Sequence, residues 1–103
     1  MKKPTFADLM QQIEAEAQEE GPEAVAQLER MRHRYYLGGQ LAVLRKRRGI
    51  TQIELAAQSG VEQADISKIE RGVSNPTEDT LARLGKVLGA RLAFIDDRER
   101  VAV

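Results

Sequence analysis

Between Thr51 and Gly72 the chain runs TQIELAAQSGVEQADISKIERG, two short helical patterns with one glycine between them. Helices below about 12–15 residues are marginal alone in water, so these two must be braced by each other or by the rest of the chain. Thr51, with Glu54 three residues on, forms a capping box that starts the first pattern. Ser59-Gly60 ends it in a turn, Glu62 or Gln63 opens the second, and Gly72 suits a left-handed stop. Leu55 and Ala56 offer one large and one small residue for a close helix crossing. At about 100° per residue, Gln63, Ala64, Ser67, Lys68 and Arg71 fall on one side of the second helix, and Ile66, Ile69 and Glu70 on the other. The apolar side is expected to pack down and the polar side to stay free.

The flanks supply material for the brace. Thr5 to Glu20 reads as a helix, with Thr5 and Asp8 at capping-box spacing and Phe6, Leu9, Met10 and Ile13 in one apolar stripe. Gly21-Pro22 breaks it, and Pro22 fits the first position of a helix to Tyr36. Gly38-Gly39 reads as the next interruption, before a helix from Gln40 to Arg48 that offers Leu41 and Leu44 to a core. Thr77 caps a last helix through Leu88, stopped by Gly89. Arg91 to Asp96 is the one strand expected, carrying Leu92, Phe94 and Ile95. The expected fold is all-α and five-helix, built round the short helix pair, with an N-terminal helical extension (1–36), a domain over 37–90 and a short C-terminal β-strand and tail (91–103).

Composition excludes more than it selects. The 103 residues contain no Cys, and His33 is the sole histidine. No glycine-rich phosphate loop or metal-ligand spacing occurs, and the adjacent pairs Glu19-Glu20 and Asp96-Asp97 point apart on a helix or strand. No catalysis, cofactor or metal is expected. MKKPTF is basic, but no apolar run of signal-peptide or membrane-spanning length follows, so a soluble cytoplasmic protein is expected. The net charge is zero, yet it is unevenly spread. Residues 1–29 set Lys2 and Lys3 against Asp8, Glu14, Glu16, Glu19, Glu20, Glu23 and Glu29. Residues 30–72 set Arg30, Arg32, Arg34, Arg45, Lys46, Arg47, Arg48, Lys68 and Arg71 against Glu54, Glu62, Asp65 and Glu70. Two surfaces with different partners are the reading this favours, against two solvated faces that merely cancel.

The segment Leu37–Leu88 resembles the helix-turn-helix of the phage-repressor, Cro or XRE-like family. The resemblance rests on L-x-x-L-R (Leu41 to Arg45), G-I-T-Q-x-E-L-A (Gly49 to Ala56), Gly60-Val61, I-S-K-I-E-R-G (Ile66 to Gly72) and Asn75-Pro76. Ser59 departs from it, standing where many relatives place a larger apolar residue. The resemblance implies that Gln63, Ala64, Ser67 and Lys68 face base edges of double-stranded DNA. It implies that Thr51, Gln52, Ser74 and Asn75 lie at the phosphate backbone; Arg47 and Arg71 are added as basic neighbours. Arg45 then pairs with Glu70, the alternative being that it serves phosphate. Proteins of this geometry usually dimerise on palindromic operators, and the strand residues Leu92, Phe94 and Ile95 are the expected homodimer device. A lone strand leaves backbone groups unpaired, and the same strand of a second copy would satisfy them.

The overall layout also resembles HigA-type antitoxins. That implies a small basic toxin of the RelE/HigB ribonuclease kind as partner, bound through Phe6, Leu9, Met10 and Ile13, and autorepression of a shared operon in a bacterial, nucleoid-associated setting. The alternative is a stand-alone XRE-type regulator without a toxin. An inert protein-interaction module is the competing class, distinguished by salt dependence: DNA binding weakens steeply with added salt.

Overall fold

The computed structural model describes residues 3–98 and the backbone of 101–102. Three of its helices start on threonine. α1 (Phe6–Glu20) opens on Thr5, whose hydroxyl accepts from the Asp8 amide while the Asp8 carboxylate accepts from the Thr5 amide. α2 spans Pro22–Arg47. α3 (Gln52–Ser59) repeats the reciprocal cap with Thr51 and Glu54, and the Thr77 hydroxyl caps α5 (Glu78–Leu88). α4 (Gln63–Glu70) follows Gly60 and Val61 with no side-chain cap. Ser59 has its own use: its hydroxyl accepts from the Val61 amide and tightens the α3–α4 turn.

Leu41, Leu55, Val61, Ile66, Ile69, Leu84 and Leu88 form the buried core, with Leu44, Ile50, Ala56 and Val87 at its edge. Leu55 and Ile66 are wholly buried, so each motif helix is pinned by at least one full apolar side chain, worth about 1.5–3 kcal/mol apiece. Arg48 extends from the end of α2 to donate to the Leu88 carbonyl at 2.9 Å, closing the C-terminal end of α5.

Two expectations fail. Gly38-Gly39 does not interrupt a helix; α2 runs through it for 26 residues, across the boundary drawn at 36/37. Gly38 is a contact glycine: a Cβ there would stand 2.0 Å from the Ile69 carbonyl oxygen. Gly39 meets nothing, and the structure offers no reason for it.

The strand is also shorter than expected. β1 is Ile95–Asp96 alone, and its partner is β2, Val101–Ala102 of the same chain, antiparallel with Ile95 opposite Ala102. A turn at Asp97-Arg98, held by the Arg98 amide donating to Asp96, brings the chain back on itself. A second copy is therefore not needed to pair that edge. Leu92 and Phe94 precede the strand. Leu92 borders a cleft between α2 and α5, while Phe94 is 92% exposed.

α2 works from two sides. Gly38, Leu41 and Arg45 approach α4 and the core. Val25, Leu28, Glu29 and Arg32 face α1 across Glu14, Ala17 and Gln18, with an Arg32–Glu14 ion pair. At about 100° per residue these sets lie about half a turn apart, so α1 covers the side of α2 away from α4. Among the described residues no helix is long and apolar enough to cross a membrane.

Candidate nucleic-acid interface

α4 buries Ile66 and Ile69 and leaves Gln63, Ala64, Asp65 and Lys68 exposed, with Ser67 half-buried. Its outer side is therefore open along its length, and what fixes it lies beneath. Arg45 grips Glu70 with two parallel bonds, Nε to Oε2 at 2.8 Å and Nη2 to Oε1 at 3.0 Å. The side chains are only 12% and 7% exposed. A third guanidinium bond reaches the Ile50 carbonyl, so Arg45 ties α2, the loop before α3 and α4 together.

Burial alone would raise the Glu70 carboxyl. Hydrogen bonds from Arg45 and Gln52, with the charges of Arg45 and Lys46, outweigh it and hold the group below its ordinary value. The hydrogen bonds that Arg45 donates to Glu70 in turn raise its guanidinium, against its desolvation.

From Glu70 the bonding runs outward. Gln52 donates to Glu70 Oε1 at 3.1 Å, and Gln63 donates to Gln52 Oε1 at 3.0 Å. A buried ion pair thus positions an exposed glutamine through one intermediate amide. Only one N–H of Gln63 is used in this. Its carbonyl oxygen and second N–H are left, the acceptor and donor that match N6 and N7 of adenine in a major groove.

The phosphate-side expectations sort differently. The Thr51 amide donates to Glu54, and its hydroxyl accepts from the Glu54 amide while keeping its own O–H to donate. The free backbone donors at the start of α3 are those of Gln52 and Ile53, which the α-helix leaves unpaired at its first positions. A helix start with open N–H groups suits an anion. Arg71 is exposed at the end of α4 and its Nε returns to the Ser67 carbonyl. Ser74 is half-buried and Asn75 exposed in the loop that follows. Arg47 is not brought to this face. It stands two residues beyond Arg45, about 200° round α2, where it lines an open groove with Tyr36, Gln40 and Val43.

The Gln52–Gln63 bond was not anticipated from the sequence. The one clue was that both glutamines take the first helical position of a motif helix. The expected partner-binding stripe is largely open: Phe6 is 72% exposed, Leu9 and Ile13 are exposed, and Met10 is half-buried. Among the described residues no cluster of potential metal ligands occurs.

Comparison with known proteins follows the same geometry. Residues 41–95 match a family model described as helix-turn-helix, HTH_3. Over 56 residues the chain is 45% identical to an uncharacterised HTH-type transcriptional regulator of Sinorhizobium fredii, covering 54% of this chain and 73% of that one. It is 38% identical over 55 residues to the antitoxin HigA1 of Mycobacterium tuberculosis, covering 53% of this chain but 37% of that protein. A crystal structure of an HTH_3-family transcriptional regulator from Vibrio cholerae aligns with a TM-score of 0.57 and 36% identity, over 59% of this chain and 34% of that chain.

Proposed function

The chain belongs to the HTH_3 helix-turn-helix family of transcriptional regulators, and on that premise we propose that it is a sequence-specific repressor. It binds a palindromic operator as a homodimer and occludes a promoter in the bacterial cytoplasm. α4 enters the major groove, with Gln63, Ala64, Ser67 and Lys68 toward the bases. The open start of α3 and the loop at Ser74 and Asn75 hold phosphates. One observation carries this reading: the Arg45–Glu70–Gln52–Gln63 chain, which fixes an otherwise free side chain at the outer surface. A solvated glutamine has no need of such support, whereas base readout gains from a prepositioned amide.

The test is selection from a random duplex library. The wild-type chain should enrich one palindromic sequence. Gln63→Ala with Lys68→Ala should bind DNA without preference while keeping its helical circular dichroism. Unchanged selectivity in the double variant refutes the assignment of α4 residues to base readout.

Within that role we propose that the chain is an antitoxin that neutralises a small basic ribonuclease of the RelE/HigB kind. Its supports are the likeness to the HigA1 antitoxin and the exposed Phe6, Leu9 and Ile13 on an acidic helix that lies away from α4. One molecule then holds the toxin and the operator on different sides. Co-expression with the product of the neighbouring reading frame tests this. Relief of that product's toxicity by the wild-type chain, lost in Phe6→Asp with Ile13→Asp, supports it. No relief leaves the stand-alone regulator.

A further inference from the structure

Arg30 and Arg34 prolong the α4-facing side of α2 beyond the point where α4 ends. Arg34 lies four residues before Gly38, and Arg30 four before that, so Arg30, Arg34, Gly38, Leu41 and Arg45 follow helical spacing along one side. Gly38, Leu41 and Arg45 on that side are covered by α4 and the core. Arg30 is exposed and Arg34 half-buried, and among the described residues neither is ion-paired.

Their neighbour is the loop that leaves α4. Gly72 sits so close to α2 that a Cβ on it would meet the Tyr35 backbone at 2.8 Å and the Arg34 carbonyl carbon at 3.4 Å. Arg71 immediately precedes this contact and Ser74 and Asn75 follow it. Arg34 on α2 and Arg71 at the cap of α4 thus border the loop proposed to touch phosphate, and Arg30 follows one turn farther along α2. The carboxylates that could cancel them are placed elsewhere. Glu70 is held by Arg45, and Glu14 by Arg32 on the α1 side of α2. Glu29 lines the α1–α2 crevice, and Glu23 shares the arginine side only about two turns farther on.

We infer that Arg30 and Arg34 grip the sugar-phosphate backbone of duplex DNA outside the groove α4 enters, continuing the phosphate contacts of the 72–75 loop along the duplex. The inference rests on the proposed DNA binding but not on sequence readout, because phosphate contacts position a protein without reading bases. The extension is then a bifunctional element, with its α1 side free for protein and its opposite side on DNA.

The experiment measures binding of the full chain, across a series of KCl concentrations, to a short mixed-sequence duplex and to the duplex enriched by the wild type. Arg30→Gln with Arg34→Gln should lower the magnitude of the slope of log affinity against log salt by about 0.9 per lost phosphate contact, hence about 2. It should do so on both duplexes and leave the ratio between them unchanged. Arg30→Lys with Arg34→Lys should keep the wild-type slope, which a merely structural role for the guanidinium groups would not. An unchanged slope in the glutamine variant, or a reduced slope in the lysine variant, overturns the inference. Failure to enrich any sequence, with the slope still falling on mixed DNA, sinks the readout proposal alone.

Discussion

Gly38 and Ile69 meet backbone to backbone: no Cβ fits at position 38 without standing 2.0 Å from the Ile69 carbonyl oxygen. That contact sets how deeply α4 seats on α2. An alanine here gains up to about 1 kcal/mol in helix propensity but must push α4 away, an overpacking cost of about 1–3 kcal/mol. Gly38→Ala should therefore lower the urea midpoint. Gly39→Ala adds a methyl in open space on the same helix, and should raise the midpoint by about 0.5–1 kcal/mol of stability. Shifts in the same direction would refute the contact.

Glu70 predicts an acid limb in stability. Its folded carboxyl sits below its ordinary value of 4.5, although burial opposes this, because Arg45 and Gln52 donate to the charged form. A depressed carboxyl stabilises the fold fully above its unfolded value and loses that contribution as pH falls through the folded value. The stability gap between wild type and Glu70→Gln should be constant from neutral pH to about 5 and shrink below about 4. Glu70→Ala, which strands Arg45, should cost about 3–5 kcal/mol at neutral pH. Chemical denaturation at several pH values measures both, and a gap that does not begin to shrink as pH falls below the ordinary carboxyl value would contradict the role given to the ionised carboxylate.

The same residues show where sequence is legible. Thr5, Thr51 and Thr77 announce their helices because capping chemistry is local, complete within three residues. The two-sided α4 is equally legible, since Ile66 and Ile69 against Gln63 and Lys68 is a matter of helical period. Gly38 misleads because a glycine that breaks a helix and one that admits another backbone look alike until the distant partner, Ile69, is seen. RLAFID reads longer than β1 because alternation does not reveal that the chain returns after Asp96. Arg47 and Arg48 look like one basic run, but adjacent positions on a helix end face different surroundings, an open groove and the Leu88 carbonyl. The Gln52–Gln63 bond joins two helices and has no local signature.

Gln52 should matter to specificity without touching the bases. Gln52→Ala removes the acceptor that holds Gln63 and one donor to Glu70. Gln63 then regains rotamer freedom that must be lost again on binding. Discrimination should relax at one base pair per half-site by up to the ~1–3 kcal/mol that a bidentate contact supplies. Other positions should keep their ranking. A panel of single-base variants of the enriched duplex, titrated against wild type and Gln52→Ala, reads this directly. Uniform weakening at every position would assign Gln52 to phosphate alone.

Phe94 and Ile95 predict the assembly. Both are exposed, Phe94 at 92% and Ile95 at 64%, beside a hairpin whose first strand is paired within its own chain. If the dimer forms through side chains here, Phe94→Asp with Ile95→Asp should leave the fold intact, because substitutions at exposed sites rarely exceed about 0.5 kcal/mol. Wild-type melting should rise with protein concentration, as dimerisation linked to folding requires, and the variant's should not. Sedimentation should return the 11.5 kDa monomer for the variant. Two recognition helices about 34–36 Å apart are needed to span a palindrome, so the monomer should bind single half-sites and lose the added affinity of the paired site. A variant that still sediments as a dimer places the twofold contact elsewhere on the chain.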